Sequence, residues 1–339
     1  MSEQSPTDNS NNPPVARRYH LRHVTTYDYE DAVALAHHDL CLKLRDLPYQ
    51  DVKNASVRVE PMPDSTAERI DVYGNTHHFV AIESAHEALN VVAEATIDVR
   101  DRDIPLPFNT PAWEQVRALV TGEGFPEHLA ALDCSLASPG VAIVPEVTNY
   151  ARQSFQPGRP ILEAAKDFNH RIFSDFTYEP GATAVTTPVD EAFAARVGVC
   201  QDFAQIAIAG LRGLGLAARY VSGYIRTSNA AQSVPDPESQ EVDGKTKTKT
   251  KTELTTTLPI NETELRGADA SHAWFAIWCG PELGWVDLDP TNDLIVGTDH
   301  VVIGWGRDYL DISPVKGVIL GGGKQELSVA VDLVPGDTA

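Results

Sequence analysis

From Tyr19 to about Val99 the apolar positions fall at every second residue, with turn residues between the runs. In "LNVVAEATIDV", Leu89, Val91, Ala93, Ala95, Ile97 and Val99 share one face, the alternation of a half-buried strand. "DVYGNTHHFVAI" sets a Gly74-Asn75 turn between two strand-like runs, and the stretch as a whole predicts an antiparallel β-sandwich. "DRDIPLPFNTP", with its prolines, reads as a linker, and after it the spacing turns helical in "AWEQVRALV", "VPEVTNYARQSF" and "PILEAAKDFNHRIFSDF". In "TTPVDEAFAARV", Thr187 suits a helix cap and Pro188 the first helical position, while Asp190 and Glu191 complement the helix dipole; Gly198 ends that short helix.

The next run carries the most information. "GVCQDFAQIAIAGLRGLGL" predicts a helix from Cys200 to about Leu214, with Phe203, Ile206, Ala207 and Leu211 on one side, central and buried. "ARYVSGYI", "HAWFAIWC" and "GWVDLDP" follow as strands, so a helix leads into antiparallel β structure, an α+β layout. The expected organisation is a disordered tail (1–15), a β domain (16–101), a linker with helices (102–160), a second domain (161–310) and C-terminal strands (311–339). The second domain carries an insertion at 228–266, whose lysines at alternate positions in "KTKTKTKT" read as a solvated edge or loop.

Composition narrows the function. A chain of 339 residues has room for two cores, and its formal charge of −21 argues against binding nucleic acid or an anionic membrane surface. Cys41, Cys134, Cys200 and Cys279 are widely spaced with no CxxC pair, which fits neither a disulfide framework nor a thiolate zinc site. No apolar leader or membrane-length run is present, so the expectation is a soluble protein of a reducing compartment, the cytoplasm. The pairs His37-His38 and His77-His78 point to opposite faces of a strand and cannot readily chelate one ion, so no metal or other cofactor is expected.

A thiol at a helix N-terminus has its charged form favoured by the dipole, and free amides there can receive an oxyanion. Cys200 occupies such a position. His272 opens a strand, and after the Gly284 turn the chain returns with Asp287 and Asp289, so a hairpin would bring a carboxylate level with the imidazole. Alternation puts both aspartates on one face. Pro290 turns the chain out of the sheet beside Asp289, which favours that residue. Gln201 is a candidate to donate to the oxyanion or to line the pocket wall, and Trp274 a candidate for the pocket rim. Asp202 reads as complementing the helix N-terminus.

"GVCQDFA", "SHAWFAIW" and "GWVDLDPTND", in that order, resemble the Cys, His and Asp motifs of the transglutaminase-like superfamily, in the bacterial branch read as cysteine peptidases. "DVYGN" and "HEALNVVAEATIDV" resemble the N-terminal β-sandwich domain of that branch. The resemblance implies a papain-like catalytic domain at 161–310, with a Cys-bearing helix packed on a sheet bearing His and Asp. Cys200 would be the nucleophile, His272 the general base and acid, and Asp289 the residue orienting it. It further implies an amide hydrolase or transamidase acting on peptides or proteins through a thioester. Hydrolysis is favoured, because the sequence shows no acceptor-amine site. Two alternatives stand beside it: a non-catalytic interaction module on the same fold, and acyl transfer to an arylamine. Oligomeric state is not legible.

Overall fold

The computed structural model describes residues 16–122, 128–227, 265–267 and 271–336. The expected tail and nearly all of the 228–266 insertion lie outside the described residues. Five strands open the chain: β1 (Arg17–Leu40), β2 (Gln50–Glu60), β3 (Ser65–Ile70), β4 (Thr76–Ile82) and β5 (His86–Val99). They pair antiparallel in the order β2-β5-β1-β4-β3. Long β1 changes partner midway: up to Asp28 and, past a break in register, at Val33 it pairs with β5, and from Ala36 to Leu40 it pairs with β4. One strand therefore joins the two halves of the sheet, and Leu89 and Val91 of one half share a buried core with Leu40, Val80 and Ile82 of the other. The alternating face read from the sequence is the buried one, from Leu89 at 0% exposed to Ala95 at 8%. Each large aliphatic on that face contributes about 1.5–3 kcal/mol by leaving water.

The second layer system is helical. α1 (Trp113–Val120), α2 (His128–Asp133), α3 (Pro145–Arg152), α4 (Ile161–Asp175) and α5 (Val189–Ala195) surround α6 (Cys200–Gly213). A short parallel pair, β6 (Thr177–Tyr178) with β7 (Val197–Gly198), ties the start of α6 to the end of α4. Every residue of α6 from Gln201 to Arg212 is buried, so the helix is enclosed all round rather than on one stripe. The segment 102–160, read from its prolines as linker and helices, is built into this core: Trp113, Val116, Val147 and Ala151 share it with Phe203 and Ile206. Two terminus assignments also shift. Pro188 itself caps α5, while the Thr187 hydroxyl accepts from the Ala184 N–H (2.9 Å); and the left-handed Arg196 (φ 57°), not Gly198, ends the helix.

Against α6 lies a five-stranded antiparallel sheet, β11-β10-β9-β8-β12, made of β8 (Ala218–Ile225), β9 (His272–Trp278), β10 (Trp285–Asp289), β11 (Leu294–Ile295) and β12 (His300–Gly306). The C-terminal strands β13 (Val315–Gly321) and β14 (Gln325–Pro335) then return to the first sheet, both pairing with β1.

Strand β12 ends the second sheet, and the N-terminal domain covers it. Val301 and Ile303 pack with Tyr19, Leu21, Ile97 and Leu333. Along the strand's open edge two side-chain amides act as substitute strand residues. Gln50 accepts from the Val302 N–H (2.7 Å) and donates to its carbonyl (2.8 Å). Asn75, the residue after the Gly74 turn, accepts from the Trp305 N–H (3.1 Å) and donates to the Trp305 carbonyl (2.8 Å). Gly304 makes the second contact possible, because a Cβ there would collide with Asn75 Oδ1.

Candidate active site

Cys200 is the first residue of α6, where amide hydrogens have no carbonyl one turn back to bind. Asp202 reaches back instead and accepts from the Val199 N–H (2.8 Å) and from the Thr183 hydroxyl (2.6 Å), fixing the turn that presents the thiol. Burial raises the Asp202 pKa against the pull of those two donors. Gly198 leaves the space for this reach, since a Cβ there would stand 2.7 Å from Asp202 Oδ2. Among the four cysteines only Cys200 is partly exposed. Burial pushes the Cys41 thiol up to about 12 and that of Cys134 to about 11, and it raises Cys279 further, so those three stay protonated.

His272 opens β9, and its Nε2 lies 2.8 Å from Asp289 Oδ2 at the end of β10, both side chains fully enclosed. The β9–β10 register pairs Leu288 with Phe275, so Asp289 stands diagonally across from His272 rather than level with it. Asp287 is otherwise engaged: it takes the Arg102 guanidinium at 2.6 Å, level with Ala276. Alternation could not choose between the two carboxylates; distance along the hairpin does. Asp289 Oδ1 accepts from the backbone N–H of Thr291 (2.8 Å) and Asn292 (3.3 Å), while Oδ2 also receives the Asn292 side-chain amide (2.8 Å).

Electrostatics make this an ion pair. Burial disfavours a charged His272, but Asp289 and then Cys200 outweigh it and raise the imidazole to about 10. Burial likewise disfavours the Asp289 carboxylate, yet His272 and His300 hold it well below the usual carboxylate range. His272 Nδ1 has no hydrogen bond of ordinary length, while the Cys200 side chain acts on the same ring; Nδ1 is thus the atom left for the thiol. The sign of the pH effect follows. The stability that His272 contributes is complete below its unfolded value of 6.5 and is lost as pH rises towards 10. That of Asp289 is present above 3.8 and lost only in stronger acid. Denaturant titrations of wild type and His272→Gln are expected to differ by about 3 kcal/mol near pH 5.5, with the gap narrowing steadily towards pH 10.

Of the two pocket candidates, Gln201 has a partner of its own and Trp274 is corrected. Gln201 is buried and its side-chain amide donates to the Val185 carbonyl (2.9 Å), so it anchors the loop ahead of α5 rather than offering that hydrogen to an oxyanion. Trp274 is 0% exposed and lies behind the site, not at a rim. It fills the space left by the missing side chain at Gly223 and meets the His300 ring edge-on at 5.2 Å. His300 itself was missed: its Nε2 sits 3.1 Å from Asp289 Oδ2. As for the paired histidines, His77 bonds Asp39 (2.8 Å), and His78 bonds Glu68.

Among the described residues, His272, Asp289 and His300 are a group whose ligand atoms lie within 4.8 Å of one another, the arrangement that could hold a metal ion. Both ring nitrogens aim at one carboxylate oxygen at hydrogen-bond distance, so protons between them already account for the geometry. Chemically, the cluster can take a proton from a thiol at Nδ1 and hold it while Asp289 balances the charge.

The likenesses to known proteins agree with this architecture. Residues 19–98 match the family model of the bacterial transglutaminase-like N-terminal region, and residues 148–290 match that of the transglutaminase-like superfamily. An uncharacterized protein of Mycobacterium tuberculosis is 34% identical over 325 residues, covering 94% of this chain and 93% of that one. An uncharacterized protein of Mycobacterium leprae is 27% identical, covering 93% and 98%. Among solved structures, one described as a "putative cysteine protease" from Cytophaga hutchinsonii superposes with a TM-score of 0.68 at 18% identity, over 96% of this chain and 92% of that one. With a sandwich of the matching N-terminal type leading into a core of buried helix and antiparallel sheet, the chain belongs to the transglutaminase-like superfamily.

Proposed function

We propose that the protein is a cysteine-dependent amide hydrolase acting on peptide or protein substrates through a thioester, with Cys200 as nucleophile, His272 as base and acid, and Asp289 as the group orienting it. The observation that carries this reading is the buried His272–Asp289 pair, which leaves Nδ1 for the one cysteine of the four that is not buried. The Cytophaga hutchinsonii structure, described as a "putative cysteine protease", shares the fold on which this reading is built.

In the first half-reaction the proton of the Cys200–His272 pair already rests on Nδ1 of the imidazolium, and the thiolate adds to the amide carbonyl carbon. The oxyanion that forms meets the free N–H groups at the start of α6. Collapse breaks the C–N bond as the imidazolium gives its proton to the departing amine or ammonia, leaving a thioester. Water then attacks, with His272 taking one of its protons; the C–S bond breaks, and the returning proton restores the thiol. An acceptor amine in place of water would make the same site a transamidase. Four unpaired cysteines fit a reducing compartment, and the cytoplasm is part of the proposal.

Iodoacetamide labelling, mapped by peptide mass spectrometry, tests the thiol without knowledge of the substrate. Cys200 is expected to be carboxamidomethylated at pH 6.5 at least about a hundredfold faster than Cys41, Cys134 or Cys279. Equal rates would end the proposal.

A further inference from the structure

The Asp289 carboxylate is held by donors from three places. The turn after β10 supplies the Thr291 and Asn292 amides, β9 supplies His272, and β12 supplies His300. The last is unexpected by position, because β12 lies at the edge of the sheet with β8 and β9 between it and β10. His300 pairs with Ile225 in the register of β8, and its ring bridges towards Asp289 beside Trp274, which lies over side-chain-free Gly223. His300 is 1% exposed and its Nδ1 has no partner, so the bond from Nε2 to Asp289 is what its polar edge makes in the described structure.

What keeps His300 in place comes from the N-terminal domain. One residue before it, Asp299 receives Arg17 (2.7 Å) and Tyr19 (3.0 Å) from β1, together with Arg226 from the end of β8 (2.9 Å). Two residues after it, Gln50 binds Val302 through both backbone groups, and Asn75 repeats the grip at Trp305. The grip brackets His300 on both sides. Asp299 is occupied by those cations, and the charges acting on the His272–Asp289 pair are Cys200 and His300.

We propose that His300 is a positioning residue that locks the Asp289 carboxylate against His272, and that the N-terminal β domain serves the site by clamping β12 around it. The inference rests on the catalytic reading of Cys200, His272 and Asp289. Without the third side-chain donor the carboxylate is free to turn within its pocket, the imidazolium loses part of its fixed counter-charge, and the thiolate loses its partner. The acid limb of Cys200 reactivity then moves towards that of an ordinary thiol.

The test is the pH dependence of Cys200 carboxamidomethylation in the full chain, followed by mass spectrometry from pH 4 to 10. His300→Phe keeps a ring against Trp274 and removes the donor; its profile is expected to move up by about one pH unit. His300→Gln places an amide nitrogen near the lost Nε2 and is expected to recover most of that shift. Gln50→Leu leaves both Val302 backbone groups unpaired and is expected to shift the profile in the same direction by less; it carries the test should His300→Phe fail to fold. A folded His300→Phe with an unmoved or downward-shifted profile, or a Gln variant that recovers nothing, overturns the inference while fast wild-type labelling leaves the catalytic reading standing. Slow wild-type labelling, equal to that of Cys41, overturns both.

Discussion

Cys200→Ala is expected to abolish amide turnover, with a loss of at least about 10⁴-fold, while leaving the fold intact. No other thiol can substitute: Cys41, Cys134 and Cys279 are 2% exposed or less and belong to packed cores. Water activated by His272 is a poor stand-in, because the base is placed to serve a nucleophile on α6 and not a free molecule. The structural cost is small. Cys200 is partly exposed, its turn is secured by Asp202 rather than by its own side chain, and removal of the sulfur leaves those bonds untouched. The measurement is a peptide and amine-donor library incubated with wild type and variant, with products read by mass spectrometry and melting temperatures recorded in parallel. Product formation that survives in a variant with an unchanged melting temperature would exclude Cys200 as the nucleophile.

The two kinds of sequence signal behaved differently. Local periodicity located the elements because burial in a strand or helix follows the chain's own repeat: Leu89 to Val99 alternate into the sandwich core, and the run after Cys200 is apolar because α6 is enclosed. Cys200 and Asp289 were legible because each stands at an element end flagged by a neighbour, Gly198 and Pro290, while His272 was read from the strand that it opens and from the order of the three motifs. His300 carries no such mark. It is one histidine of eleven, and its value arises only when β12 is laid beside β8, a pairing no local pattern encodes. The same holds for Gln50 and Asn75, whose partners lie 252 and 230 residues away. Trp274 was misplaced for a related reason: strand alternation says which way a side chain leaves the backbone, not whether another layer covers it. The C-terminal strands were expected as strands, but their return to β1 depends on the whole chain coming back on itself.

Asp289→Asn is the second large effect, and its cause lies in hydrogen-bond direction. The carboxylate accepts at both oxygens: two backbone N–H groups at Oδ1, and His272, His300 and the Asn292 amide at Oδ2. An asparagine must place one NH₂ group where an acceptor stood. The backbone donors cannot reverse, whereas an imidazole can exchange tautomers, so the NH₂ is expected to settle on the Oδ2 side with His272 Nε2 turned into an acceptor. Its proton then resides on Nδ1, the nitrogen facing the thiol, and the base can no longer accept from Cys200. Turnover is expected to fall by about 10²–10⁴-fold, with Cys200 alkylation following the pH profile of an ordinary thiol. Unlike Cys200→Ala, this variant also loses stability, by about 2–4 kcal/mol near neutral pH, because a buried charge that stabilised the imidazolium is gone. Full alkylation kinetics in a destabilised Asn variant would mean that Asp289 holds the sheet together without orienting the base. Slow alkylation with the wild-type substrate affinity retained would place its effect on the proton of His272.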